Sequence, residues 1–129
     1  MKITLIGLGV EEGDLSANAL KALGGASKIF ARTALAPSFK SVEGFAVQPL
    51  DDVFATCRNF DTLNKKLASI VLKAAKESDV AYLVDGAVSE DNACKIILAR
   101  HKDTAVYEGV SKAARAVSLA RIKSTQYLS

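Results

Sequence analysis

Short apolar runs alternate with amphipathic segments along the chain. Residues 3–8, 28–31, 80–84 and 104–107 form largely apolar runs with many β-branched or large side chains. Such runs are typical of buried parallel strands when turn residues bound them. A further short strand is expected at residues 45–47.

The segments between these runs predict helices. Apolar residues recur at three- and four-residue intervals across residues 61–77, which predicts a long amphipathic helix. An earlier helix is expected to begin at Asp14 or Ser16, since both residue types are good N-caps. Two more helices are expected, one at residues 89–100 and one in the alanine-rich segment that ends near residue 122.

This alternation predicts an α/β fold with a mostly parallel sheet flanked by helices. The 129 residues suit one domain with a single core. We expect that domain to occupy residues 1–120 and a polar C-terminal tail to occupy residues 121–129. Ligands of such sheets bind beyond the carboxyl ends of the strands, where the loops at Gly9, Gly86 and Gly109 are predicted to converge.

Composition and charge indicate an ordinary globular protein. Half of the residues are hydrophobic and 24% are charged, with a net charge of +3 that is spread along the chain. Nucleic-acid binding usually needs a clustered basic face, so no nucleic-acid partner is expected. A basic cluster near the C-terminus either contacts an anion or partner or is simply solvated; it consists of Lys112, Arg115, Arg121 and Lys123.

The cysteines and the first residues predict a cytoplasmic location. Cys57 and Cys94 are far apart and form no CxxC motif, so we expect reduced thiols rather than a zinc or redox site. The N-terminal apolar run is broken by Gly7 and Gly9, unlike a signal peptide. No stretch has the length of a membrane span, so no membrane partner is expected.

The glycines after the first strand allow several interpretations. They either make only a tight turn or let the backbone approach a ligand closely. The dinucleotide fingerprint GxGxxG fails, because Glu12 stands where the third glycine belongs and Gly13 follows one residue late. Arg32 replaces the acidic residue expected after the second strand and is suited to the 2′-phosphate of NADP, so an NADP-dependent reductase stays open.

The order of several motifs resembles the N-terminal domain of the tetrapyrrole (corrin/porphyrin) methylases. The family has a GxG loop, a GDLT-like segment, a leucine-rich helix and a GvSS-type loop. The branch fused to a MazG-type nucleotide pyrophosphohydrolase also has an RT pair after its second strand. The matching segments of this chain are GLG at 7–9, GDLS at 13–16, RT at 32–33, DDVF at 51–54 and GVS at 109–111.

The resemblance implies a methyltransferase that uses S-adenosylmethionine, releases S-adenosylhomocysteine and acts on a small tetrapyrrole-like acceptor. This chain would be its cofactor-binding half. Its implied substrate contacts are Arg32 and Thr33, while the catalytic residues stay unknown and no metal is expected. The implied cofactor contacts are Leu8, Gly9, Gly86, Ala87, Val88, Val110 and Ser111.

Two departures from the family keep a second hypothesis open. The third loop of the family commonly reads GDP or PGHP, whereas this chain has Asp85 and then Gly86, Ala87 and Val88. The family's methylase unit is also about twice as long and has a second domain. A non-catalytic binding or regulatory domain beside a nucleotide pyrophosphohydrolase is therefore the alternative. In either case an isolated half exposes apolar surface, which predicts a homodimer.

Other polar residues give weaker indications. His101 is the only histidine and lies near a helix end, where interaction with the last carbonyls explains it. Glu11, Glu12 and Asp14 form a carboxylate cluster that is better explained by solvation or by a helix N-terminus than by a metal. Methyl transfer depends mainly on orientation and proximity, so the lack of an acid–base pair does not exclude it.

Overall fold

Five parallel strands form the centre of the fold. The computed structural model describes the backbone of residues 1–128 and the side chains of residues 1–121. The sheet has the order β3-β2-β4-β1-β5, and every neighbouring pair is parallel. In chain order the strands are β1 Ile3–Gly7, β2 Lys28–Ala31, β3 Val47–Pro49, β4 Val80–Val84 and β5 Thr104–Tyr107. The predicted α/β fold with a parallel sheet flanked by helices is confirmed.

Five α-helices connect or follow the strands. They are α1 Ala17–Leu23, α2 Asp51–Phe54, α3 Phe60–Ala74, α4 Asn92–Arg100 and α5 Lys112–Leu128. Two 3₁₀ helices, Pro37–Val42 and Val88–Glu90, complete the connections. Within the described part of the chain, no helix combines the length and the apolar character needed to cross a bilayer.

The sheet separates two apolar cores because side chains alternate between its faces. On one face Leu5 and Tyr82 pack with residues of α3 and α4, including Leu67 and Ile97. On the opposite face Ile6, Leu83 and their neighbours pack against α1 and the 3₁₀ helix Pro37–Val42. The central strands β1 and β4 are buried along their whole length, which explains their continuous apolar sequence.

The structure agrees with most predicted elements and differs at their ends. The strands Lys28–Ala31, Val80–Val84 and Thr104–Tyr107 have the predicted bounds. The third strand lies two residues later than predicted, at Val47–Pro49. The helix predicted from Ser89 begins instead after Asp91, whose side chain accepts the Cys94 N–H at 2.8 Å.

The C-terminal segment also differs from its prediction as a tail. The backbone of α5 is helical through Leu128, so residues 121–128 continue the helix, while residue 129 lies outside the described residues. Among residues 112–121 only Arg115 is partly buried. Helix α5 therefore extends away from the domain after its first turns, and the predicted domain boundary near residue 120 stays a prediction.

Candidate functional site

Three loops meet at the carboxyl ends of β1, β4 and β5. Gly9 and Gly86 form an isolated bridge, in which the Gly9 N–H donates to the Gly86 carbonyl at 3.0 Å and the Gly86 N–H donates back at 2.7 Å. Gly109 packs so closely that an added Cβ would lie 2.4 Å from the Gly7 oxygen. The predicted convergence of the loops at Gly9, Gly86 and Gly109 is confirmed.

Glycine is required in these loops for two physical reasons. Gly9, Gly86 and Gly109 have φ angles of 79°, 77° and 81°, a region that other residues adopt at a cost. Close contact adds a second constraint, since a Cβ at Gly7 would lie 2.2 Å from the Glu108 carbonyl oxygen. The glycine pattern is thus explained by backbone packing between loops, whether or not a ligand binds there.

The side chain of Glu90 occupies the N-terminus of α5. Its Oε1 accepts the N–H groups of Ala87 at 3.0 Å and Lys112 at 2.7 Å, and its Oε2 accepts that of Ala113 at 3.1 Å. Burial raises the pKa of Glu90, but the backbone N–H bonds outweigh it and lower the pKa to about 2. Ser111 accepts the Ala114 N–H at 3.1 Å, so the first turn of α5 is capped from within the chain.

Two surface ion-pair groups hold α5 against the loops. The Arg115 guanidinium lies 2.6 Å from the Glu11 carboxylate and 3.0 Å from the Asp14 carboxylate. Hydrogen bonds from the Val10 and Glu11 N–H groups lower the pKa of Asp14, and Arg115 lowers it further. The predicted carboxylate cluster after β1 therefore organises its own loop and binds α5.

The first residue of α5 makes the second ion pair. Lys112 Nζ lies 3.2 Å from Asp85 Oδ2, with half of the lysine side chain exposed. The stem of Lys112 also lies over the second loop, since a Cβ at Gly86 would be 2.9 Å from Lys112 Cγ and Cε. One face of Gly86 is therefore covered by α5.

The residues predicted to contact a cofactor share this edge but differ in accessibility. The Leu8 side chain is buried in the core and its N–H donates to the Val84 carbonyl at 2.8 Å. Ala87 and Val88 are also buried. Val110 and Ser111 are partly exposed, and their N–H groups have no hydrogen-bond partner among the described side chains and backbone. These two residues are the accessible part of the predicted cofactor wall.

Arg32 lies directly after β2 and forms a buried ion pair. Its Nη1 donates to Asn64 Oδ1 at 2.9 Å and to Asp91 Oδ1 at 3.0 Å. The side chains of Arg32 and Asp91 are 16% and 6% exposed. The guanidinium also lies 5.5 Å from the centre of the Phe54 ring, a cation–π distance. Arg32 is thus held by both an ion pair and an aromatic ring.

Thr33 has a local role in the structure. Its hydroxyl donates to Asp51 Oδ1 at 2.5 Å and accepts the Leu35 N–H at 3.0 Å. Asp51 Oδ2 also accepts the Ala34 N–H at 3.0 Å. The two predicted substrate contacts therefore differ in their surroundings. Arg32 lines a cavity, whereas the Thr33 hydroxyl is bonded within a turn.

Two adjacent cavities lie beside Arg32. A polar chamber of about 150 Å³ is lined by Arg32, Phe60, Asn64, Asp85, Glu90, Asp91, Asn92 and Lys112. An apolar chamber of about 440 Å³ is lined by Phe54, Cys57, Arg58, Asn59, Phe60 and Leu63. Phe60 belongs to both chambers, and its ring is 72% exposed. Together they form an amphipathic cleft next to the carboxyl end of β2.

The phenol of Tyr82 lies close to Asp91 and Arg32, two residues that line the polar chamber. Tyr82 is fully buried, and its hydroxyl has no hydrogen-bond partner in the described part of the chain. Burial is the main cause that raises its pKa well above 10, and the charge of Asp91 raises it further. A buried polar atom without a partner costs free energy, so this hydroxyl is an unused hydrogen-bonding group close to Arg32 and Asp91.

Sequence reasoning found Arg32 but missed most of this cleft. Leu63 belongs to the amphipathic helix predicted at residues 61–77, and Phe60 directly precedes it; their three-residue spacing indicated core packing. Asp91 falls within the helix predicted at residues 89–100, and no binding role was predicted for its side chain. The one sequence signal for the cleft is the position of Arg32 and Asp85 directly after two strands that prove to be neighbours.

His101 lies far from this site. The His101 Nε2 lies 2.6 Å from the Met1 carbonyl oxygen, at the opposite ends of the strands. Within the described residues no group of three or more histidine, cysteine and acidic side chains is arranged to hold a metal. His101 instead joins the end of α4 to the N-terminus.

Compared with the models of known protein families and with curated proteins, the chain shows no match. The resemblance to the tetrapyrrole methylases therefore stays a prediction based on short motifs and their order.

Proposed function

We propose that the chain is an S-adenosylmethionine-binding domain of a methyltransferase related to the tetrapyrrole methylases. The observation that carries this proposal is the meeting of the loops at Gly9, Gly86 and Gly109 beyond the carboxyl ends of three adjacent strands. In open parallel sheets this edge is where ligands bind. The resemblance supplies the ligand class, and a small tetrapyrrole-like compound is the corresponding acceptor.

The loop at Gly109 supports a methyl donor that the protein holds in a fixed position. The unpaired N–H groups of Val110 and Ser111 are suited to a carboxylate or carbonyl oxygen of a bound amino acid. Methyl transfer from a sulfonium to an acceptor requires alignment of donor and acceptor more than a strong base. We place this activity in the cytoplasm, because Cys57 and Cys94 are both free thiols.

A non-catalytic binding or regulatory domain is the second candidate. The covering of Gly86 by Lys112 favours it, as does the occupation of the α5 N-terminus by Glu90. Both contacts fill space at the loop edge with the chain's own side chains. With both contacts in place, a methyl donor binds without touching the face of Gly86 that Lys112 covers.

The third candidate, an NADP-dependent reductase, gains less support. Its 2′-phosphate contact would be Arg32, whose guanidinium is paired with Asp91 at 3.0 Å and bonded to Asn64. Breaking such a buried pair leaves an uncompensated carboxylate and costs several kcal/mol. The contacts of the bound 2′-phosphate would have to offset the free energy lost when the Arg32–Asp91 pair breaks.

Calorimetric titration separates the three candidates. S-adenosylmethionine, S-adenosylhomocysteine and NADPH are titrated in turn into the chain and into V110E, which adds a bulky anion to the accessible wall. We expect the two sulfur compounds to bind the parent chain and to bind V110E at least about tenfold more weakly. The control K102E alters an exposed residue just before β5, at the opposite ends of the strands, and keeps the affinity. Binding of NADPH alone indicates the reductase, and binding of none of the three contradicts the methyl-donor proposal.

We also propose that the chain forms a homodimer. Exposed large apolar side chains lie on α1, α4, β5 and α5, and include Leu20, Leu98, Val106, Val117 and Leu119. Covering exposed apolar side chains with a second copy removes them from water, which favours association. Light scattering is expected to give twice the 13.6 kDa chain mass, and a monomer mass at high protein concentration contradicts the dimer.

A further inference from the structure

The amphipathic cleft between β2, α2 and α3 combines an apolar volume with unused hydrogen-bond donors. Its apolar chamber is walled by the rings of Phe54 and Phe60 and has a volume of about 440 Å³. Pockets for small organic molecules are usually about 300–1,000 Å³ and are mainly apolar with a few polar groups. The apolar chamber together with its polar end fits that description.

The polar end presents donors whose acceptors are missing. Arg32 donates through Nη1 to Asn64 and Asp91, and its guanidinium also faces the Tyr82 phenol. Lys112 has three ammonium donors and uses one of them, to Asp85. The Tyr82 hydroxyl is fully buried and unpartnered nearby. Open donors on two cationic side chains are suited to an anionic oxygen.

The three carboxylates of the same chamber all bind groups of the chain itself, although Asp85 does so through Oδ2 only. Asp91 binds Arg32 and the Cys94 N–H, and Asp85 binds Lys112. Glu90 accepts N–H groups from three residues. A cationic ligand would compete with these contacts. An anionic ligand would instead accept further hydrogen bonds from the Arg32 guanidinium and the Lys112 ammonium.

From this juxtaposition we propose that the cleft binds an aromatic carboxylate with one or two rings. The rings stack against Phe54 and Phe60 in the apolar chamber, and the carboxylate accepts hydrogen bonds from Arg32 and Lys112. Aromatic rings gain both from burial and from edge-to-face or offset contact with other rings. A carboxylate on Arg32 gains charge-assisted hydrogen bonds.

This inference does not rest on the methyl-donor proposal. The accessible wall of the donor site is formed by Val110 and Ser111, neither of which lines the cleft. The cleft is tested without S-adenosylmethionine, so either proposal can fail while the other stands.

Alkylation of Cys57 provides a direct measurement. Cys57 lines the apolar chamber and is partly exposed, whereas Cys94 is buried. The rate of reaction with N-ethylmaleimide is measured with increasing 2-naphthoate and, in parallel, with 2-naphthalenemethylammonium, which has the same rings and the opposite charge. We expect 2-naphthoate at saturation to slow the alkylation at least about tenfold, with no comparable effect of the ammonium compound.

Variants locate the effect. F60S removes a ring that is 72% exposed, so it leaves the fold intact and is expected to weaken protection by 2-naphthoate about tenfold. K112Q removes one cation and is expected to weaken the protection as well. The control K102Q changes an exposed residue at the opposite ends of the strands and keeps the protection. Equal protection by the ammonium compound, no protection by 2-naphthoate, or full protection in F60S would each overturn the proposal.

Discussion

The Glu90 carboxylate accepts the backbone N–H of Lys112 at 2.7 Å, across 22 positions of sequence. This contact joins the 3₁₀ helix after β4 to the first residue of α5. The same carboxylate holds the Ala87 N–H at 3.0 Å, so one side chain fixes two of the three converging loops. Ion pairs of Lys112 with Asp85 and of Arg115 with Asp14 reinforce the junction.

Replacing Glu90 by Gln is expected to destabilise the chain by about 1 kcal/mol at neutral pH. The loss of a helix cap typically has a cost of this size. The pKa of Glu90 is lowered from 4.5 to about 2 in the folded chain. Its ionised form therefore stabilises the fold above pH 4.5, and that contribution is lost as the pH falls towards 2. Urea unfolding of the parent chain and E90Q between pH 7 and pH 2 should show a smaller acid-induced loss of stability in the variant.

The control for this experiment is E77Q. Glu77 is exposed after α3, and its side chain makes no hydrogen bond or ion pair with the described residues. E77Q should reproduce the acid-induced loss of the parent chain. An equal flattening in E77Q and E90Q would contradict the role assigned to Glu90.

Two ion pairs of this site should differ in their contribution to stability. R32M leaves the Asp91 carboxylate, which is 6% exposed, without its cation, and is expected to cost about 3–5 kcal/mol. K112M breaks the pair with Asp85, whose members are 53% and 27% exposed, and is expected to cost less than about 1 kcal/mol. Urea denaturation of both variants measures the difference, and similar losses would refute the distinction between them.

The Gly109 loop is predicted to tolerate no side chain. Gly109 has a φ of 81°, and an added Cβ would lie 2.4 Å from the Gly7 carbonyl oxygen. G109A is expected to lose at least about 2 kcal/mol of unfolding free energy from strain and contact together. In the control G44A the Cβ meets no atom within 4 Å, so the change should stay below about 1 kcal/mol. Chemical denaturation compares the pair, and a neutral G109A would show that the loops are not packed as described.

Only one of the two cysteines should react in the folded chain. Burial raises the pKa of the Cys94 thiol, and the charge of Asp91 raises it further, so its thiolate is scarce. Cys57 is partly exposed. Titration with Ellman's reagent should detect one thiol per native chain and two in denaturant, while C57S should show none before unfolding. A rapid second thiol in the native parent would contradict the burial of Cys94.

The fold was predictable because its strands carry a local signal. The runs at Lys28–Ala31, Val80–Val84 and Thr104–Tyr107 are largely apolar, and their bounds in the structure match the prediction. The short helix α2 and the 3₁₀ helix Pro37–Val42 have four and six residues, too few to show a helical period. They were therefore not predicted, and the third strand was displaced by two residues.

The position of the candidate site was predictable from one general rule, that ligands of parallel sheets bind beyond the carboxyl ends of the strands. That rule placed the loops at Gly9, Gly86 and Gly109 at one edge, and the structure bears this out. It could not identify which side chains pair across the edge. The partner of Arg32 is 59 positions away at Asp91, a relation that follows from the neighbouring positions of β2 and β4 in the sheet.

The sequence by itself determined the parallel α/β fold and the glycine loops, since hydrophobic burial and backbone freedom act over a few neighbouring residues. Tertiary structure alone decided that Glu90 caps α5, that Arg32 is paired with Asp91, and that Phe54 and Phe60 open onto a cleft. These relations depend on strand order and on the path of α5, which bring distant segments together. The physical reason is that hydrogen bonds and ion pairs act over a few ångströms, whatever the separation along the chain.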